Sequence, residues 1–208
     1  MLDGLMRRLI DPSLNRAGHW LAARGASADA ITLAGLASGL VAAGLIAVGW
    51  PAWWALVPLL AGRLFDGLDG AVARATQRTD FGGYLDICAD FLFYGAVPLA
   101  FVLSDPAGNG AAGAFLLTSF YFNGTSFLGH AIIAARRGMQ TSAQGLKSLY
   151  YSNGLLEGTE TILFLVALCL FPGAFAPLAF VFGALCFVSG ALRIWGVRRA
   201  LETRDGMR

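Results

Sequence analysis

The chain is poor in charge. Only 13% of its 208 residues are Asp, Glu, Lys or Arg, against about 25% in a soluble domain. That shortage excludes a soluble globule and a disordered chain, and it closes the basic-patch route to nucleic-acid binding. Cysteine is scarce too. Cys88, Cys169 and Cys186 are odd in number and lie in apolar stretches, so they read as core thiols rather than a disulfide framework. The chain has no convincing internal repeat and no low-complexity linker. Its first residues lack the unbroken apolar run of a signal peptide. What it has is hydrophobic residues, 57% of the total, and a mean hydropathy of +0.64. This is the composition of a polytopic membrane protein. The net charge of +2 decides nothing; its distribution decides a good deal.

A bilayer-spanning helix needs about 20 mostly apolar residues. Six stretches qualify: 31–50, 52 to about 74, 83–103, 111–135, 155–171 and 175–197. Before them, Leu2, Leu5, Met6, Leu9 and Ile10 recur at helical spacing with Arg7 and Arg8 between. That pattern predicts a short amphipathic helix on the membrane surface, ended by Asp11-Pro12. Ser27 and Asp29 suit the start of the first span.

The basic residues sort by side. Arg7, Arg8, Arg16 and Arg24 precede the first span, and Arg74 and Arg78 lie between the second and third. Arg136, Arg137 and Lys147 lie between the fourth and fifth, and Arg193, Arg198, Arg199, Arg204 and Arg208 close the chain. The three opposite connections contain no Lys or Arg and a single acid, Asp105. The positive-inside rule then predicts an even number of spans with both termini cytoplasmic. Trp50, Trp53 and Trp54 mark the outer interface. Gly35-xxx-Gly39 fits either a helix dimerisation face or close packing within one subunit.

Acids at membrane depth are costly, roughly 2.5–3.5 kcal/mol each at a helix centre. Here they are grouped. Asp66, Asp69, Gly70, Ala73 and Arg74 share one face of the second span's cytoplasmic end, and Gly82, Asp86 and Asp90 share one face of the third's. The connection between these spans is short, so they are antiparallel neighbours and four carboxylates converge. Anions held together in reduced dielectric repel. Hard divalent cations relieve this, and four Asp suit a two-metal site for attack on phosphorus. Gly70 and Ala73 leave room for a ligand against the helix backbone, and Arg74 suits a phosphate. A lone acid pair would also fit structural ion pairing with Arg63 or Arg74, or the ion pathway of a membrane transporter.

The run Asp66-xx-Asp69-Gly70-xx-Ala73-Arg74, then Gly82-xxx-Asp86-xxx-Asp90, resembles the signature of the CDP-alcohol phosphotransferases (CDP-alcohol phosphatidyltransferases), integral membrane enzymes of phospholipid synthesis. Seven residues separate Arg74 from Gly82, where that family more often has eight. The resemblance implies an all-α integral membrane fold: an interfacial segment (1–26), a six-helix transmembrane catalytic domain (27–198) and a cytoplasmic tail (199–208). It implies that Asp66, Asp69, Asp86 and Asp90 ligate two divalent cations, Mg2+ or Mn2+, with Asp90 also the general base. Gly70, Ala73, Arg74, Thr79 and Thr32 would border the nucleotide. The substrates would be CDP-diacylglycerol and a small alcohol, the products a phospholipid and CMP. The setting would be a bacterial inner membrane, with membrane lipids as surroundings and a homodimer as the assembly. A transporter would need polar groups continuing outward, but the outer halves of the spans are nearly all apolar.

Three features bear on the acceptor. Glu157 and Glu160 lie one turn apart at the start of the fifth span and suit a cationic alcohol; ion pairing or a helix N-terminus would also account for them. Arg193 lies within the sixth span's cytoplasmic end and suits a phosphorylated acceptor. The run Tyr150-Tyr151-Ser152-Asn153-Gly154-Leu155-Leu156-Glu157 resembles one found in a bacterial inner-membrane subgroup of that family. His19 and His130 read as hydrogen-bonded bystanders.

Overall fold

The computed structural model describes residues 3–137, 156 and 158–205, with side chains for 10–137, 156 and 158–202. Among these residues every regular element is helical. Seven α-helices follow in order: α1 (Asp3–Ala22), α2 (Ala28–Ala47), α3 (Leu56–Ala75), α4 (Asp80–Ser104), α5 (Pro106–Arg136), α6 (Gly158–Leu170) and α7 (Phe175–Asp205). Single 3-10 turns precede α3 (Ala52–Ala55) and α7 (Pro172–Ala174). Gly25 and Gly49, at φ 80° and 78°, reverse the chain after α1 and α2, a conformation that costs glycine little.

The short connections are capped. Thr79 starts α4 by accepting a hydrogen bond from Gly82 N at 2.9 Å, and Asp105 starts α5 by accepting one from Gly108 N at 3.0 Å, with Pro106 in the first turn. One core joins α2 to α7. It includes Ala42 and Ile46 of α2, Leu59 of α3, Phe93 and Val97 of α4, Leu116 of α5, Leu165 of α6 and Phe175 of α7. Phe164 and Phe182 stack at 4.0 Å, and Phe101 and Phe175 at 5.1 Å.

Glycine brings α2 and α3 together. A Cβ at Gly62 would lie 2.9 Å from the Gly35 carbonyl oxygen and 3.3 Å from Gly39 N. The Phe93 ring covers Gly39. The Gly35-xxx-Gly39 stripe therefore packs within the chain, and Ser38 Oγ adds a 2.8 Å hydrogen bond to the Pro58 carbonyl.

Two expectations are corrected. Asp11-Pro12 does not end the first helix; α1 runs through Pro12 to Ala22. A proline removes one backbone hydrogen bond, but the turns after it are held by α3. Leu14 lies over Gly67, and Gly18 sits so close to Ala71 that a Cβ there would be 2.6 Å from the alanine Cβ. Cys88 is exposed, while Cys169 and Cys186 are buried. The inward stripe of α4 runs through Ala89, Phe93 and Val97, and Cys88 falls outside it.

Among the described residues, three helical stretches are long and apolar enough to cross a membrane: Ala28–Ala47, Asp80–Ser104 and Pro172–Glu202. Helix α3 has the length, but it carries Arg63, Asp66, Asp69 and Arg74. The described part of α6 is shorter, at 13 residues. Helix α7 continues past residue 197, so the region expected as a tail is helical as far as Asp205. The tryptophans near the α2–α3 turn are well exposed: Trp50 at 57%, Trp53 at 55% and Trp54 at 48%.

The glycine contact sets a test. Gly62→Val is expected to lower stability by about 1–3 kcal/mol, because the methyls meet backbone rather than a movable side chain. Gly44→Ala, where nothing lies within 4 Å, is expected to be neutral or to gain up to about 1 kcal/mol in helix propensity. Thermal melts of the detergent-solubilised variants check both.

Candidate functional site

The two acidic faces read from the motif meet, although α3 and α4 pack mainly against α2 rather than against each other. Asp66 and Asp69 project from α3 and Asp86 from α4, each offering one carboxylate oxygen, all within 4.8 Å of one another. Asp69 is buried, 6% exposed. Its Oδ2 accepts a 2.5 Å hydrogen bond from Thr32 Oγ1 of α2. Thr32 is itself 6% exposed; it lies on the α2 face that the glycine packing presses against α3. The nucleotide-side expectation for Thr32 thus meets an additional role, as donor to a cluster carboxylate.

Asp90 stands one turn beyond Asp86. Its Oδ1 accepts a 2.6 Å hydrogen bond from Arg63 Nη1, and the same nitrogen lies 3.6 Å from Asp66 Oδ1. Arg63 was read from sequence as a possible ion-pair partner. The structure makes it the link between the α3 and α4 acids. Its guanidinium carbon lies 4.2 Å from the Phe93 ring centroid, a cation–π contact. The signal was present: Arg63 is a basic residue deep inside a span, one turn before Asp66.

The remaining α3 residues line the same helix. A Cβ at Gly70 would lie 3.2 Å from Arg74 Nη1, so a side chain there would crowd the arginine. Ala73, one turn after Gly70, is half-buried. Arg74 is held from below by α1: Asn15 Oδ1 accepts from Arg74 Nε at 3.2 Å and from Nη2 at 2.9 Å. Nothing in the sequence pattern singled out Asn15, whose place follows from the Leu14 and Gly18 contacts. Thr79 is the N-cap of α4, and a Cβ at Gly82 would meet both Thr79 Oγ1 at 3.0 Å and Asp29 Oδ1 at 3.1 Å. Asp29 therefore reaches the α3–α4 connection as well as starting α2.

The acceptor candidates lie apart in sequence from this group. Arg193 of α7 is 8% exposed. Its Nη1 donates to α5 three times: to the Asn123 carbonyl at 3.0 Å, to Asn123 Oδ1 at 2.9 Å and to Ser126 Oγ at 2.6 Å. Asn123 and Ser126 carried no sequence signal. Glu160 lies in the first turn of α6. Glu157 and residues 150–155 lie outside the described residues. His19 fits its bystander reading through a 2.7 Å contact between Nδ1 and the Asn15 carbonyl.

Carboxylates at this spacing in a half-buried site outweigh the one guanidinium bonded among them. The donor set is all hard oxygen, which suits Mg2+ or Mn2+ rather than a soft metal. The residues fit such an ion: three oxygens converge, and Thr32 hydrogen-bonds one carboxylate oxygen of Asp69.

Comparison with known proteins bears on the same residues. Residues 26–195 match the family model described as CDP-alcohol phosphatidyltransferase, a range that includes the whole carboxylate motif. The chain is also 46% identical over 195 residues to the inner membrane protein YnjF of Escherichia coli (strain K12), covering 94% of both chains.

The buried hydrogen bond sets a test. Thr32→Val leaves a buried carboxylate oxygen without its donor, at an expected cost of about 1.5–3 kcal/mol, whereas Thr32→Ser keeps the hydroxyl and most of the stability. Melting temperatures in chelator compare the two, and equal melts for Val and the unaltered chain would contradict the assigned contact.

Proposed function

The chain belongs to the CDP-alcohol phosphatidyltransferase family, and on that premise we propose that it transfers a phosphatidyl group from CDP-diacylglycerol to a small alcohol, releasing CMP. The observation that carries this reading is the meeting of Asp66, Asp69 and Asp86 within 4.8 Å, with Asp90 one turn further on. In this reading these four carboxylates hold two divalent cations, Mg2+ or Mn2+. When bound, such ions neutralise charge on a pyrophosphate and its leaving group.

The chain's own residues do the rest. Asp90 takes the proton of the acceptor hydroxyl as its oxygen attacks the phosphorus that bears the lipid. A P–O bond forms to the acceptor as the P–O bond to CMP breaks, and CMP leaves with the bonding pair. Gly70 and Ala73 leave the α3 backbone open to the nucleotide, and Arg74, steadied by Asn15, offers it a guanidinium. Thr79 and Thr32 border the nucleotide from α4 and α2. On the acceptor side, this reading takes Glu160 in the first turn of α6, Glu157 just before it in sequence, and Arg193 of α7. The buried setting of Arg193 supports a fixed cation there.

The setting completes the reading. The proposed domains are an interfacial segment at 1–26, a six-span catalytic domain at 27–198 and a cytoplasmic tail at 199–208. Both termini face the cytoplasm of a bacterial cell, in its inner membrane, and the chain works as a homodimer. The basic residues of the inner connections and the exposed Trp50, Trp53 and Trp54 support that orientation. A lipid-linked nucleotide has its head in water and its tails in the bilayer, and helix ends at that boundary suit it.

The test is metal-dependent CMP release from CDP-diacylglycerol, run against a panel of free and phosphorylated alcohols in vesicles. At least one acceptor is expected to support release, and chelator is expected to stop it. Asp90→Asn is expected to cut release by about 100-fold or more without unfolding the protein. Retained activity in that variant would remove Asp90 from the role of base, and no release with any alcohol would contradict the transferase reading.

A further inference from the structure

We propose that Arg63 is a built-in counter-cation of the carboxylate cluster: a positioning residue that holds Asp90 against Asp66 and sets how tightly divalent cations bind. The inference rests on the metal-binding reading of the cluster.

Arg63 is an unusual residue to bury. Its side chain is 9% exposed, and its Nε is buried with no hydrogen-bond partner. A guanidinium is retained in such surroundings when carboxylates compensate it. Here the compensation comes through one nitrogen, Nη1, at 2.6 Å from Asp90 and 3.6 Å from Asp66. These acids come from different helices, so the arginine ties α4 to α3 on the buried side of the cluster. Stacking on Phe93 fixes the plane of the guanidinium from the core side. The same ring covers Gly39, so the arginine is braced by the tight packing of α2 against α4.

Two consequences of opposite sign follow from one charge. Without metal, Arg63 offsets repulsion among the acids and keeps Asp90 beside Asp66. With metal, its positive charge stands beside the incoming cation and shares the same oxygens, which weakens binding. A residue serving packing alone would lower stability with and without metal and would leave cation affinity no tighter. Opposed changes in stability and affinity are therefore the signature of a counter-cation.

The experiment uses the full chain in detergent, with Mn2+ alone as the probe, read by electron paramagnetic resonance of the free ion and by thermal melts in EDTA and in Mn2+. Arg63→Met is expected to bind Mn2+ about tenfold tighter, to melt lower than the unaltered chain in EDTA, and to recover most of that loss in Mn2+. Arg63→Lys keeps the charge and is expected to bind Mn2+ within about threefold of the unaltered chain. It also keeps the proposal testable if Arg63→Met does not fold. Unchanged or weaker Mn2+ binding in Arg63→Met overturns the proposal, as does tenfold tightening in Arg63→Lys. An unaltered chain that binds no Mn2+ overturns the metal-binding reading and this inference with it.

Discussion

Repulsion among grouped carboxylates at membrane depth is the constraint on which the rest of this protein depends. Carboxylate oxygens of Asp66, Asp69 and Asp86 stand within 4.8 Å of one another in a chain with few charged residues. Each would cost a few kcal/mol alone in such a place. Together they require positive charge and hydrogen-bond donors from every helix within reach. Thr32 of α2 supplies a donor to Asp69, and Arg63 of α3 supplies a cation to Asp90. In the proposed reading, the surplus of negative charge that remains is what would make the cluster a receptor for hard cations.

Those partners reach the acids because the helices approach closely. The absence of side chains at Gly35, Gly39 and Gly62 brings α2 onto α3 and lets Phe93 of α4 settle over α2. Thr32 lies one turn before Gly35 on the same helix, so backbone packing and hydroxyl placement have one cause. Helix α1 repeats the device on the other flank. Gly18 and Ala71 allow contact, and Asn15 then reaches Arg74. Helix α1 is thus joined to the motif helix by packing as well as by the chain.

Much of this was legible in the residues. The motif spacing put Asp66 and Asp69 on one helix face and Asp86 and Asp90 on another, because a helical repeat is local and periodic. The short loop between them brings their acids together, but the two helices pack mainly against α2 rather than against each other. Contacts set by tertiary approach were less visible. Asn15, Asn123 and Ser126 belong to no local pattern; they gain meaning only when α1 meets α3 and α5 meets α7. Pro12 misled, because its effect on an isolated helix is outweighed where α1 is held against α3. Cys88 misled for a related reason: an apolar stretch in a membrane chain has a lipid face as well as a core face. That the chain is built of apolar helices was plain from its composition and its long apolar runs. The pairing of Arg63 with Asp90 needed the third dimension.

The most direct measurement of the central claim is anomalous X-ray diffraction at the manganese edge, from crystals of the full chain grown with Mn2+. The account predicts one peak among the carboxylates of Asp66, Asp69 and Asp86 and a second against Asp90. Well-diffracting crystals with no manganese at these residues, or with manganese held elsewhere, would contradict it.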